Sequence, residues 1–259
     1  MYKTLTAEDI RRFLKVPDSY KVDALLVVGT NPRSKEYPHL YEALEKIGVQ
    51  YREETIENAF FSEIKCLIIN GKRIWFDVVY GTAYLSELLH VASMLGSKAN
   101  ILLGTCGALQ INMDTGDTVI PSASFGNESS TRMYQRDKNA LVFPSDKNLS
   151  QCIKKYINEQ KTIYEGNLMT VQAMLAETKE DVDTWNSQGY VGVDMESATM
   201  FAVSNHFNVS SAALLYVADN LIKNELTTDD SFIALKEQRA NIRKENYKTA
   251  LKVLLEWTR

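Results

Sequence analysis

From Tyr190 to Phe207 the chain reads YVGVDMESATMFAVSNHF, a short apolar strand that turns straight into an apolar helix. A buried strand leading directly into a buried helix belongs to an α/β arrangement, in which both faces of a sheet are covered. Val191, Val193, Ala198, Met200, Phe201, Ala202 and Val203 make this turn hydrophobic on nearly every side, yet Asp194 and Glu196 flank Met195 within it. An ionised acid buried without hydrogen bonds costs several kcal/mol, so these carboxylates need partners. Ligand hydroxyls are one set of partners. The free N–H groups of the first helical turn are the other, worth roughly 0.3 to 1 kcal/mol to an acidic side chain. The stretch taken alone leaves both open.

The rest of the chain alternates strand and helix. Thr6 to Lys15 is expected to be a short helix capped by Thr6 and closed by Pro17. Ala24 to Val28 is expected to be a buried strand ending at Gly29-Thr-Asn-Pro-Arg33, before a helix carrying Leu40, Leu44 and Ile47. A glycine after a strand lets backbone N–H groups face an anion, and Arg33 supplies a planar fork of donors for phosphate or carboxylate. It is equally a plain turn with a solvated arginine. Asn70-Gly71 between two apolar runs predicts a hairpin of Cys66–Ile69 with Arg73–Val79. Gly81 to Leu95 is expected to be a helix, and Ile101 to Leu103 a strand running into a close-approach turn, Gly104-Thr-Cys-Gly-Ala108. That spacing is neither a dinucleotide fingerprint nor a P-loop.

Further on, Asp117 to Pro121 is expected to be a strand, Ser124 to Tyr134 a polar rim loop, Asp146 to Gln160 a helix, Ile163 to Val171 a strand and Glu177 to Gln188 a helix. Ser211 to Val217 is expected to be a buried strand stopping at Ala218-Asp219-Asn220, and Asp229 to Trp257 a helical tail. Polar residues thus gather at the ends of the Val28, Leu103, Val193 and Val217 strands. One α/β domain over residues 1–259, with one site at those ends, is the architecture this predicts.

A formal net charge of −4 without long charged runs argues against a nucleic-acid or membrane-surface partner. Cys66, Cys106 and Cys152 lie far apart with no CxxC spacing, so neither a disulfide framework nor a zinc site is indicated. The N-terminal segment MYKTLTAEDIRRFLKV lacks an apolar core of signal-peptide length, and a soluble, cytoplasmic protein is expected. His39, His90 and His206 share no metal spacing, and Cys106 has no histidine near it in sequence to make it a nucleophile.

With those residues in view, the chain resembles the nucleoside phosphorylase family of bacterial purine nucleoside and uridine phosphorylases. The resemblance rests on Gly29-x-x-x-Arg33, Gly104-Thr-Cys-Gly-Ala108, Gly166-Asn-Leu168, Val193-Asp-Met-Glu196 and Val217-Ala-Asp219, in the family's order and at similar separations. It implies a three-layer α/β/α sandwich around a mixed, partly barrel-like central sheet, and a homo-oligomer built from dimers, up to a hexamer. It also implies the substrates, a purine nucleoside and inorganic phosphate as co-substrate, with no other cofactor and no metal.

By the same resemblance Gly29, Arg33 and Thr105 hold phosphate, while Met195 and Glu196 lie under the ribose with Asp194 near the same edge. Cys106, Gly107, Met174 and Val193 surround the base. Asp219 gives it a proton as the glycosidic bond breaks, which requires an acid kept partly protonated by burial. Some positions depart from the pattern. Leu102 stands where the family usually carries a second phosphate-binding arginine, for which Arg132 or a neighbouring subunit's Arg52 are candidate replacements. Ala218 replaces a serine, and Met174 stands at the position of a base-stacking phenylalanine. The Gln-x-Arg reader of a pyrimidine edge is missing between Leu175 and Val182, which favours purines. Glu128 and Tyr134 are candidates for the base or the 5′ end. Leu102 also admits a nucleosidase that uses water, and a non-catalytic nucleoside binder is the remaining alternative.

Overall fold

The computed structural model describes residues 1–159 and 161–259. In chain order its elements are α1 (Ala7–Leu14), β1 (Ala24–Gly29), α2 (Tyr37–Lys46), β2 (Tyr51–Glu54), β3 (Lys65–Ile69), β4 (Lys72–Val79), α3 (Thr82–Met94), β5 (Ala99–Ala108), β6 (Thr118–Phe125) and α4 (Ser129–Tyr134). There follow β7 (Val142–Pro144), α5 (Lys147–Lys155), β8 (Ile163–Thr170), α6 (Lys179–Ser187), β9 (Gly192–Asp194), α7 (Ser197–His206), β10 (Ser210–Asn220), α8 (Asp230–Ala234) and α9 (Lys236–Trp257).

The strands form one mixed sheet in the order β10-β6-β8-β9-β5-β1-β4-β3-β2, with β7 on β6. β10 also pairs with β5, in parallel from Ser210 opposite Ala99 onward, so β5, β10, β6, β8 and β9 close into a small barrel-like ring. Alternation along the strands supplies both cores. Leu25, Val27 and Leu102 face one side, against Leu88 and Leu89 of α3 and Phe201 and Val203 of α7. Leu26, Val28 and Leu103 face the other, against Leu40 and Leu44 of α2 and Leu251 and Leu254 of α9. This is the expected three-layer α/β/α sandwich.

Local chemistry explains several boundaries. Thr6 and Asp9 close a reciprocal capping box on α1, and Thr178 and Asp181 do the same on α6. Asn70 and Gly71 both take positive φ, 52° and 76°, as a two-residue hairpin turn requires, and β3 and β4 pair antiparallel around them.

Five expectations need correction. Gly104 to Ala108 is not a turn but the continuation of β5, because this segment pairs with both β10 and β9. The polar stretch from Ser124 holds the end of β6 and then α4, whose start is capped by Glu128. The tail is interrupted at Leu235 into α8 and α9. β10 runs on through Asp219, with a register irregularity between Val217 and Asp219. The helix expected from Asp146 begins at Lys147 with Asp146 as its cap and ends at Lys155, while Gln160 lies outside the described residues. No helix among the described residues is long and apolar enough to cross a membrane.

Candidate active site

Glu196 is the N-cap residue of α7, but its side chain does not cap the helix. Its Oε1 instead accepts the backbone N–H of Gly81, at the start of α3, at 2.7 Å. Oε2 lies over Gly29 at the end of β1, where a Cβ would fall only 2.7 Å from it. Only glycine leaves room there for the carboxylate. Burial, and then the negative charge of Asp194, push the Glu196 carboxyl well above the usual range.

The capping role belongs to Asp194. Its Oδ2 accepts the backbone N–H of Ser197 at 2.8 Å and its Oδ1 accepts the Thr170 hydroxyl at 2.7 Å. Both oxygens of this buried acid are therefore engaged by the protein, and Asp194 fixes the turn that presents Glu196. The two explanations for the pair of acids divide between them: helix N–H groups account for Asp194, and they leave Glu196 unexplained.

Asp219, at the end of β10, is 9% exposed. Its carboxyl is pushed up to about 6, chiefly by burial and then by the charge of Glu225, with Arg239 of α9 pulling the other way. Among the described residues no other side chain hydrogen-bonds it. Arg239 is itself buried, stacks 3.5 Å from the centroid of Phe232, and leaves Nη1 without a hydrogen-bond partner. Cys106 is buried, and its thiol is pushed far up by burial and by the charges of Asp194 and Asp219, so it is a protonated wall of the site rather than a nucleophile. Glu177 is raised to about 7 by burial, followed by the charges of Asp219 and Asp181.

The expected anion-binding residues are arranged less simply. Thr105, within β5, and Gly29, at the end of β1, line one small cavity. Arg33 is turned toward β4, where Nε donates to the Val78 carbonyl at 2.9 Å, the guanidinium lies 3.7 Å from Asp77 Oδ1, and it covers the Tyr84 ring at 5.2 Å. Asp77, fully buried, also accepts the Tyr84 hydroxyl at 2.7 Å. Leu102 is sealed in the core between Val27 and Ala213. Arg132 folds onto its own loop, donating to the carbonyls of Asp137 and Arg136 at 2.8 and 3.3 Å.

Of the residues expected around a base, Met174 sits in the 3-10 turn after β8 and is 43% exposed. Gly107 is walled by Leu221 and Val193, and Val193 packs in a third small core with Leu109, Met169 and Val182. Met195 is half-buried, and its carbonyl accepts Gln172 Nε2 at 3.1 Å. Gln172, which also accepts the Thr82 hydroxyl at 2.9 Å, ties the Met195 turn to the start of α3. Glu128 caps α4 and accepts the Thr199 hydroxyl, while Tyr134 bonds to His90 at 2.9 Å. Gln172, Asp77, Glu177 and Arg239 are not legible from spacing because each depends in part on a partner well separated in the chain: Thr82 and Met195 for Gln172, Arg33 for Asp77, and Asp219 for Glu177 and Arg239.

A mixed sheet that closes a small ring, with buried acids and glycines gathered at the strand ends, defines an α/β protein of the phosphorylase and hydrolase kind. The chain belongs to the phosphorylase superfamily, which matches residues 34–255. Guanosine phosphorylase of Halorubrum lacusprofundi is 28% identical over 163 residues, 63% of this chain and 66% of that protein. The chain thus spans just under two thirds of that relative. Among solved structures, uridine phosphorylase from Vibrio fischeri superposes with a TM-score of 0.74 at 17% identity, covering 95% of this chain and 96% of that one. The 5′-methylthioadenosine/S-adenosylhomocysteine nucleosidase of Helicobacter pylori superposes with a TM-score of 0.67 at 18% identity, covering 91% and 99%. The fold is therefore shared with phosphorylases and nucleosidases alike.

Proposed function

We propose that the protein is an enzyme that cleaves the N-glycosidic bond of purine nucleosides with inorganic phosphate, releasing free base and ribose 1-phosphate. The observation that carries this reading is Asp219, a buried acid pushed up to about 6 that no other side chain among the described residues hydrogen-bonds, in a site that also offers Glu196 Oε2. Glu196 accepts hydrogen bonds from the ribose hydroxyls, which restore the hydration that burial removed and favour its charged form. Phosphate lies against Gly29, Thr105 and Arg33. As a phosphate oxygen bonds to C1′, the bond from C1′ to the base nitrogen breaks and its electron pair passes to the base. Asp219 delivers the proton that neutralises the leaving base. The buried, preorganised acids and N–H groups supply the electrostatic part, and no covalent enzyme intermediate is required.

The similarity to guanosine phosphorylase supports a purine nucleoside as substrate. Hydrolysis by water is the second reading, and Leu102, buried where the family usually places an arginine, favours it. Incubating a purine nucleoside with and without phosphate separates the two: ribose 1-phosphate as product supports phosphorolysis, and free ribose at a phosphate-independent rate overturns it. Binding of the nucleoside without turnover overturns both. The reading includes a cytoplasmic homo-oligomer of dimers in which edge strand β2 offers Arg52 to a neighbour; sedimentation of a monomer at micromolar concentration would remove that part.

A further inference from the structure

Behind the rim, on the side of the sheet covered by α9, lies a cavity of about 20 Å³. One water needs ~10–15 Å³ on the same scale, so the space itself is about that of one or two waters and opens a path from α9 to the rim. Gly29, Thr30, Gly104 and Thr105 form one wall, and Arg243, Asn246 and Tyr247 of α9 form another. The expected phosphate residues Gly29 and Thr105 therefore face a cation that is not one of the expected set.

That cation is held in place. Arg243 Nη1 donates to Glu36 Oε1 at 2.6 Å and Nη2 donates to the Tyr216 hydroxyl at 3.2 Å. Glu36 is 1% exposed, and its Oε2 accepts the Tyr247 hydroxyl at 2.8 Å. The carboxylate thus has two partners and orients the guanidinium, whose five N–H donors are not exhausted by the Glu36 and Tyr216 bonds. A planar fork with donors left over beside backbone glycines and a threonine is an arrangement suited to a tetrahedral oxyanion. Arg33, by contrast, already spends Nε on the Val78 carbonyl.

We propose that Arg243 is the second guanidinium of the phosphate site, reaching the anion from α9, on the face of the sheet opposite Leu102, through the space beside Gly29 and Thr105. The inference rests on the phosphorolytic reading and adds a ligand to it. Its rival is a purely structural role, in which Arg243 and Glu36 only tie α9 to the start of α2. Removing Arg243 alone would strand a buried carboxylate, so the test pairs Arg243→Met with Glu36→Gln in one variant and uses Arg243→Lys as the second.

Inorganic phosphate is titrated against wild type and both variants, by thermal shift and by steady-state kinetics with a purine nucleoside. The wild type is expected to respond to phosphate. Both variants should then need about 10- to 100-fold more of it, the loss of one or two charge-assisted hydrogen bonds, while KM for the nucleoside stays within about twofold. A merely structural pair would change the melting temperature and leave phosphate affinity unchanged in whichever variant folds, and that result overturns the inference while the phosphorolytic reading stands. A wild type that ignores phosphate and releases free ribose overturns the phosphorolytic reading itself, and Arg243's part in it.

Discussion

Glu196 Oε1 accepts the backbone N–H of Gly81 at 2.7 Å, joining residues 115 positions apart in the sequence. This bond leaves Oε2 as the acceptor for a ligand and fixes the direction in which it points. In Glu196→Gln the single amide oxygen is claimed by Gly81, so the group facing the ligand becomes an NH2 donor opposite hydroxyl donors. The kcat/KM for a purine ribonucleoside should fall by about 3 kcal/mol, roughly 100-fold, with the fold retained. Unchanged kinetics would remove Glu196 from the site.

Gly29 is tied to the same carboxylate by space rather than by a bond. A Cβ 2.7 Å from Oε2 is closer than atoms tolerate, and Glu196 cannot swing away without losing Gly81. Gly29→Ala should therefore lower kcat/KM by at least about tenfold through Glu196. In the Glu196→Gln background the further loss should be smaller, because the two changes damage the same acceptor. Additive losses in a double-mutant cycle would show that Gly29 acts on its own.

Asp194 is the acid that the helix start explains, and its variants should report stability. Asp194→Asn turns an acceptor-only group into one with an amide donor facing either the Thr170 hydroxyl or the Ser197 N–H. Urea denaturation should show a loss of about 2 to 4 kcal/mol, as expected for breaking a buried charged network. A loss under about 0.5 kcal/mol would contradict the assignment of Asp194 to the turn.

How far the sequence discloses this arrangement depends on the range of the contacts. The strand-to-helix turn around Glu196 was legible because an apolar run and two acids lie within a few residues, and the β3–β4 hairpin because Asn70-Gly71 is a local signal. Edge strand β2 was not, since Tyr51-Arg-Glu-Glu54 is polar and largely exposed and carries no burial pattern. Gly104 to Ala108 misled because glycines commonly end strands. Here the strand runs on because β10 pairs along it from Gly104 to Ala108 and β9 pairs with Gly107 and Ala108. The Glu36 to Arg243 pair spans 207 residues, and Arg33 is turned by Asp77 and Tyr84, so neither could be read from spacing.

Burial raises the carboxyl of Asp219. Its value rises from 3.8 to about 6, so between roughly pH 4 and pH 6 the folded protein holds a proton that the unfolded chain releases. Stability contributed by this group is fully present below about pH 4 and is lost as pH rises through about 6, by up to about 3 kcal/mol for a group this buried. Asp219→Asn cannot ionise and escapes that loss. The variant should match wild type in stability near pH 4 and exceed it by about 2 to 3 kcal/mol at pH 8, while losing most activity on purine nucleosides whose base needs a proton to leave. For wild type the same proton predicts a kcat/KM that is sustained below about pH 6 and declines above it, a limb the variant should lack. Melting curves and pH profiles of the two proteins between pH 4 and pH 8 check both sides. A stability difference independent of pH would mean that Asp219 is ionised throughout and is not the acid that releases the base.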